Sequence, residues 1–361
     1  MRLFIAFTAA LALHSLAWAA TPFTAGERHL ATTTASAAVR NHGDGKLRIT
    51  LWYPALAAEQ EVDIGPPGAP IFISGRTAAD APFADEARHP LILVSHGFGG
   101  TARQMTWLAT ALARAGYVVV GVDHPGTNGM DGVTAEGAYA PWERAGDLQA
   151  ALDAVLADPK LASHIDDRRI GVAGFSMGGF TSLLEAGARA DMPQLLAFCD
   201  GPDRDAICNP QQEFPLDVHQ APKVLAEPAM APLAARAATD LHDSRVRAAF
   251  VIAPAPIEGL DVESLRRIGV PVAIALGDAD PIAPPKTNGE RAAKLVPGAT
   301  IDILPRVGHY DFLSECGAAG LANAKAYCGD QPGVSRAATH ERVAHDAIAF
   351  FNKALPSQAH P

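Results

Sequence analysis

Ser176, Asp280 and His309 follow one another in that order along a chain of 361 residues, and each stands in a setting that fits one part of nucleophilic serine chemistry. A serine hydroxyl is a poor nucleophile at neutral pH. It needs a base to take its proton and a carboxylate to orient that base. Ser176 lies in Gly174-Phe175-Ser176-Met177-Gly178, a match to G-x-S-x-G, with an apolar run from Ile170 to Ala173 before it and another from Phe180 to Leu184 after it. In a strand–turn–helix this spacing makes a nucleophile elbow, which holds the serine in a strained conformation at the carboxyl edge of a sheet. The glycines on both sides let strand and helix approach closely. The plain alternative is an ordinary strand-to-helix turn whose serine caps the helix. The apolar flanks favour the elbow.

The base and its partner should follow the serine, each just beyond a later strand. Past the strand ending at Leu276 come Gly277-Asp278-Ala279-Asp280-Pro281, with two rival aspartates. Asp280 stands further out on the loop, where it can turn back to a histidine, whereas Asp278 suits the turn itself. Asp280 is therefore preferred. Past the strand ending at Leu304 comes Gly308-His309-Tyr310-Asp311, and His309 is the sole histidine between His242 and His340. A lone loop histidine is commonly a solvated surface residue, but this one sits at the position the chemistry needs. Asp311 is poorly placed to reach Nδ1 of a histidine two residues away. The remaining requirement is a pair of amide donors for a developing oxyanion. Met177, directly after the serine, supplies one, and Phe98 in His96-Gly97-Phe98-Gly99-Gly100 is the candidate for the other. His96 precedes the serine without a partner motif and is read as shaping that loop.

The elements that must position these residues alternate along the chain. Lys46 to Trp52 shows strand alternation, Pro90 to Ser95 and Tyr117 to Val122 are apolar runs of a buried parallel strand, and Ala248 to Ile252, Val270 to Leu276 and Thr300 to Leu304 continue the series. Helical spacing appears at Gln104 to Ala115, Pro141 to Leu156, Ser264 to Ile268, Lys286 to Leu295 and His340 to Asn352. This predicts a single α/β domain over 21–361, with a mostly parallel central sheet and helices on both faces. Thr21 to Arg40 is Thr/Ala-rich and suits an edge strand, and Ala55 to His89 reads as a long surface connection. Residues 185–247 are proline-punctuated and are read as a cap inserted beside the site.

Formal net charge is −10 with the two signs interspersed, which disfavours nucleic acid and electrostatic attachment to anionic membranes. Residues 1–20 resemble a secretory signal: Arg2, an apolar stretch from Leu3 to Leu13, and Ala17-Trp18-Ala19 as a cleavage site. That stretch is too short to span a membrane, and no cysteine follows it closely enough for a lipid anchor. A periplasmic or secreted protein is expected. In such an oxidising space Cys199, Cys208, Cys316 and Cys328 should be disulfide-bonded, with three connectivities open and local pairing needing the least loop closure. No C-x-x-C pair or finger-spaced histidine points to zinc, and neither metal nor organic cofactor is needed.

Taken together, Pro90-Leu-Ile-Leu-Val-Ser-His-Gly-Phe-Gly-Gly100, Asp123-His-Pro-Gly126, Gly174-Phe-Ser-Met-Gly-Gly179, Gly277-Asp-Ala-Asp280 and Gly308-His-Tyr-Asp-Phe312 resemble the α/β-hydrolase superfamily. More narrowly, the pattern is similar to secreted bacterial proteins related to dienelactone hydrolase and platelet-activating-factor acetylhydrolase. The resemblance implies Ser176, Asp280 and His309 as a triad, Phe98 and Met177 amides as oxyanion donors, and a small or polymeric ester as substrate. Dienelactone hydrolases proper carry a cysteine where this chain has Ser176, which shifts the expectation to general ester hydrolysis. The elbow is also similar to that of secreted polyester hydrolases and cutinases. Amide hydrolysis and an inactive binding fold are the other readings, and oligomeric state is not legible.

Overall fold

A computed structural model describes residues 23–64, 70–212 and 215–357. The signal-like segment 1–20 lies outside the described residues. Strands β1 (Thr24–Thr33), β2 (Lys46–Ala55), β3 (Val62–Asp63), β4 (Arg76–Ala79), β5 (His89–Ser95) and β6 (Val118–Asp123) fill the first third of the chain. A small hairpin, β7 (Thr127–Asn128) and β8 (Gly132–Val133), follows; β9 (Ile165–Phe175), β10 (Val246–Ile252), β11 (Val272–Gly277) and β12 (Thr300–Leu304) complete the set. Ten of them form one sheet in the order β12-β11-β10-β9-β5-β6-β2-β1-β4-β3. From β12 to β6 every neighbouring pair is parallel, and β2 and β1 then run antiparallel.

Period-two alternation sends each strand's side chains to two separate cores. In β5, Leu91 and Leu93 pack on one face with Val120, Val172, Phe180 and the helix Glu143–Ala157. Ile92 and Val94 pack on the other with Leu108, Leu112 and Phe351, from the helices Thr106–Arg114 and Arg336–Ala354. Burial on both faces explains why these strands read as unbroken apolar runs.

Two segments differ from the sequence reading. β1 is not an edge strand: it lies between β2 and β4, pairing over all ten of its residues with β2. The Ala55–His89 connection contributes β3 and β4, and β4 pairs with β1 at Gly26–Ala78 and Glu27–Ala79. Strands of two and four residues are too short to leave a periodic signal. The helical start at Gln104 belongs to a 3-10 turn, Ala102–Met105, that leads into the α-helix.

Candidate active site

The elbow sits in the middle of the sheet, because β9 is flanked by β5 (Ser95 opposite Gly174) and β10 (Ile252 opposite Phe175). Ser176 follows β9 directly and precedes the helix Met177–Glu185. Its φ is 55°, a left-handed backbone that a residue with a Cβ seldom adopts. The Ser176 N–H donates to Ile252 O (2.8 Å), and Ser176 O accepts from Gly179, Phe180 and Ala255, which fixes the strained residue from both sides. Glycine is required around it. A Cβ on Gly174 would stand 2.2 Å from Gly178 O, and one on Gly178 would stand 1.9 Å from Ser95 O.

Two later loops reach the serine. His309, buried after β12, has Nε2 2.9 Å from Ser176 Oγ and Nδ1 2.6 Å from Asp280 Oδ2. Asp280 lies after β11, and its Oδ1 accepts the N–H groups of Ile282 (2.9 Å) and Ala283 (2.7 Å), so the carboxylate cannot swing away. With Nδ1–H donating to Asp280, Nε2 is the lone-pair nitrogen that faces the serine hydroxyl. Phe175 packs against the His309 ring at 4.8 Å. The rival aspartates have other work. Asp278 accepts the Arg306 N–H, and Asp311 Oδ2 accepts the Gly308 N–H at 2.7 Å.

The loop after β5 closes over the other side of Ser176. Gly97 lies close enough that a Cβ there would be 3.4 Å from Ser176 Cβ. Gly100 N–H donates to Gly97 O at 3.1 Å, and Gly99 has φ 67°, so residues 97–100 form a tight turn with Phe98 at its first corner. Met177, the first residue of its helix, has no intrahelical acceptor for its N–H. Phe98 and Met177, the two residues named from sequence, thus both stand beside the serine.

Beneath that loop is a buried polar network that the motifs did not reveal. Arg144 donates to His96 O, to Ser95 Oγ (3.3 Å), Thr127 Oγ1 (3.0 Å) and Thr181 Oγ1 (3.2 Å). Arg40 grips Asp147 with two hydrogen bonds of 2.9 and 2.6 Å, and His124 bridges Asp147 (2.9 Å) to Ser95 Oγ (2.9 Å). His96 donates from Nδ1 to Gly97 O (2.6 Å) and accepts the His124 N–H at Nε2 (3.1 Å), a pattern that requires one proton on the ring. Burial, then the charge of Arg144, pulls both histidines well below the usual range. Burial likewise lowers the Arg144 guanidinium to about 9. The signal was there in principle: Glu143, Arg144 and Asp147 fall on the same buried helix as Leu148 and Leu152.

Between the helix Met177–Glu185 and β10 the chain forms short helices, the first at Met192–Asp200. They are tied to the body by Trp142 Nε1 to Leu233 O (2.9 Å), Tyr139 OH to Asp217 O (2.7 Å) and Gln149 Nε2 to Leu241 O (2.7 Å). Disulfides join Cys199 to Cys208 and Cys316 to Cys328, the local pairing. Among the described residues no helix is long and apolar enough to cross a membrane, and no cluster of three or more His, Cys, Asp or Glu side chains is arranged to hold a metal ion.

An open parallel sheet with a strained serine after a central strand, and an aspartate and histidine from later strands turned toward it, defines the α/β-hydrolase class. The sequence agrees: residues 91–324 match the Alpha/beta hydrolase family, and the chain belongs to it. It is 37% identical over 103 residues to Cutinase est2 of Thermobifida alba, a match covering 28% of this chain and 31% of that protein. Lipase 1 of Moraxella sp. (strain TA144) is 32% identical over 105 residues, 29% of this chain and 30% of that protein. The chain thus spans about a third of the length of the curated relatives it matches. Among solved structures, the ferulic acid esterase from Streptomyces cinnamoneus superposes with a TM-score of 0.58 over 95% of this chain and 93% of that one, at 21% identity, a likeness of fold.

Proposed function

We propose that the protein is a serine esterase that cleaves carboxylic esters through an acyl-enzyme. The observation that carries this reading is the relay from Ser176 Oγ through His309 to Asp280, at 2.9 and 2.6 Å. Ser176 Oγ attacks the ester carbonyl as His309 Nε2 takes its proton. Asp280 holds the imidazole in the working tautomer and stabilises the imidazolium that forms. The Phe98 and Met177 amides receive the oxyanion, and donors of this kind are each worth about 10²–10³ in rate. His309 then protonates the leaving alcohol, and water deacylates Ser176 by the reverse route.

Residues 185–247 act in this reading as a cap beside the serine. The disulfides and the signal-like start support action in the periplasm or outside the cell. The names of the matched relatives, cutinases and a lipase, support an ester as the bond cleaved, and polymeric esters belong to the same proposal. The narrower likeness to dienelactone-hydrolase-like and platelet-activating-factor-acetylhydrolase-like proteins rests on the motifs alone. The test is hydrolysis of p-nitrophenyl esters from acetate to palmitate by the purified protein and by Ser176→Ala. Turnover lost in the variant supports the reading. Equal turnover in both, or none in either, overturns it.

A further inference from the structure

Ser176 opens onto cavities on two sides, and His309 lies on only one of them. A cavity of about 90 Å³ is bounded by Ser176, Met177, Met192, Leu195, Ile207 and Pro256. Gln211 is among its few polar groups, and its side-chain amide already donates to Asn209 O at 2.7 Å. The Tyr139 hydroxyl, also at its wall, donates away to Asp217 O. On the other side, a small cavity of about 40 Å³ holds Ser176, His309, Phe98, Gln104 and Leu313. Phe98, Gln104 and Leu313 then also bound a third cavity of about 320 Å³, completed by Gly99, Gly100, Gly129 and Tyr327. Phe98 touches all three and forms the ridge between them.

Proton delivery decides which half of an ester goes where. The group that protonates the leaving oxygen must lie within hydrogen-bond reach of it, so the alcohol occupies the side that contains His309. The acyl group must then point the other way. We propose that the apolar cavity walled by Met192, Leu195 and Ile207 receives the acyl chain, and that the larger one beyond Phe98 receives a hydroxyl-bearing alcohol such as a polyol or sugar. This rests on the esterase reading and specifies its substrate class.

The two sides differ as those two chemistries require. The acyl side has no charged side chain on its wall and is lined mainly by apolar groups, with Gln211 shared between it and the small cavity, and its volume suits a group of roughly six non-hydrogen atoms. The alcohol side exposes glycine backbone and Gln104, whose backbone is fixed by Gln104 N–H to Thr101 O (3.0 Å) and Ser314 Oγ to Gln104 O (3.0 Å). Gln104 lines both the small and the large cavity, with its Oε1 lying against Gly100, so its side chain is within reach of a substrate hydroxyl there. On each side one lining residue is the chain neighbour of a disulfide cysteine: Ile207 precedes Cys208, and Tyr327 precedes Cys328.

The test is kcat/KM on a matrix of esters: acetate, butyrate, hexanoate and laurate, each joined to ethanol, to glycerol and to methyl glucoside. The proposal expects a fall of at least tenfold between hexanoate and laurate with any alcohol, and a gain of at least tenfold for the hydroxylated alcohols over ethanol. Gln104→Leu should shrink that gain, and Leu195→Trp should move the acyl cut-off to shorter chains without changing the ranking of alcohols. A flat or reversed alcohol preference, undiminished laurate hydrolysis, or Leu195→Trp altering alcohol choice instead of acyl choice would overturn it. Fluorophosphonate labelling of Ser176 runs alongside. Labelling with the wrong selectivity refutes this assignment alone, whereas no labelling and no hydrolysis refutes the esterase reading beneath it.

Discussion

Gly178→Ala is the perturbation that most directly connects local sterics to the proposed chemistry. A Cβ at this position would lie 1.9 Å from Ser95 O, 2.6 Å from Ser95 C and 2.9 Å from His96 O, all backbone atoms. Ordinary contact begins at 3.4 Å, so the helix Met177–Glu185 and β5 must separate by about 1.5 Å. Neither element yields easily. Phe180, Leu183 and Leu184 are fully buried on the helix, and β5 is bonded to both β6 and β9. Overpacking of this kind costs roughly 1–3 kcal/mol, or about 1–4 °C in Tm for a domain of this size. The larger effect is kinetic. A shift of that size moves Met177 N–H off the oxyanion and lengthens the Ser176–His309 bond, and a misplacement of about 1 Å costs on the order of 100-fold. Gly269→Ala, where an added Cβ meets nothing within 4 Å, is the control. The assay is p-nitrophenyl butyrate turnover beside a thermal melt. If Gly178→Ala keeps turnover within threefold of the unaltered protein, the elbow is not positioning the nucleophile and the reasoning fails.

Further predictions concern the relay, the buried histidines and the disulfides. Asp280→Asn leaves the His309 hydrogen bond sterically possible but favours the wrong tautomer, so kcat should fall by about 10⁴ with little change in Tm; a loss under tenfold in steady-state kinetics contradicts the assigned role. His340, stacked on Trp107 at 4.3 Å, is lowered by burial from 6.5 to about 4. An unfolded chain therefore takes up this proton first as pH falls, and the stability present above pH 6.5 is lost progressively down to about pH 4, by roughly 3 kcal/mol from this residue. His96 and His124 act in the same direction, and His340→Phe should flatten the slope of urea-denaturation free energy against pH by about His340's share. Reduction of Cys199–Cys208 and Cys316–Cys328, which span 9 and 12 residues, should cost roughly 2–3 kcal/mol each, read as a lower denaturation midpoint in dithiothreitol.

Much of the sheet was legible because strands covered on both faces leave continuous apolar runs, as β5, β6, β10 and β11 do, whereas the edge strand β12 shows alternation instead. The candidate site was legible because an elbow serine and two post-strand loops have few candidates each, and Asp280, separated from Asp278 by its distance along the loop, is the aspartate that meets His309. What escaped were features set by tertiary proximity. β4 is recognisable only by its pairing with β1. Arg144 and Asp147 lie in a stretch legible only as a helix, and it is folding that places them under His96 and beside Arg40 and His124. Gln104 looked like the start of a helix and turns out to stand between two cavities, because loops distant in sequence close around Phe98.

The most direct measurement is stoichiometric labelling with a fluorophosphonate followed by mass spectrometry of the modified peptide. One adduct per chain, carried by Ser176 and absent in Ser176→Ala together with ester hydrolysis, is the predicted result. An adduct on another residue, no adduct at all, or hydrolysis that survives in Ser176→Ala would contradict the account.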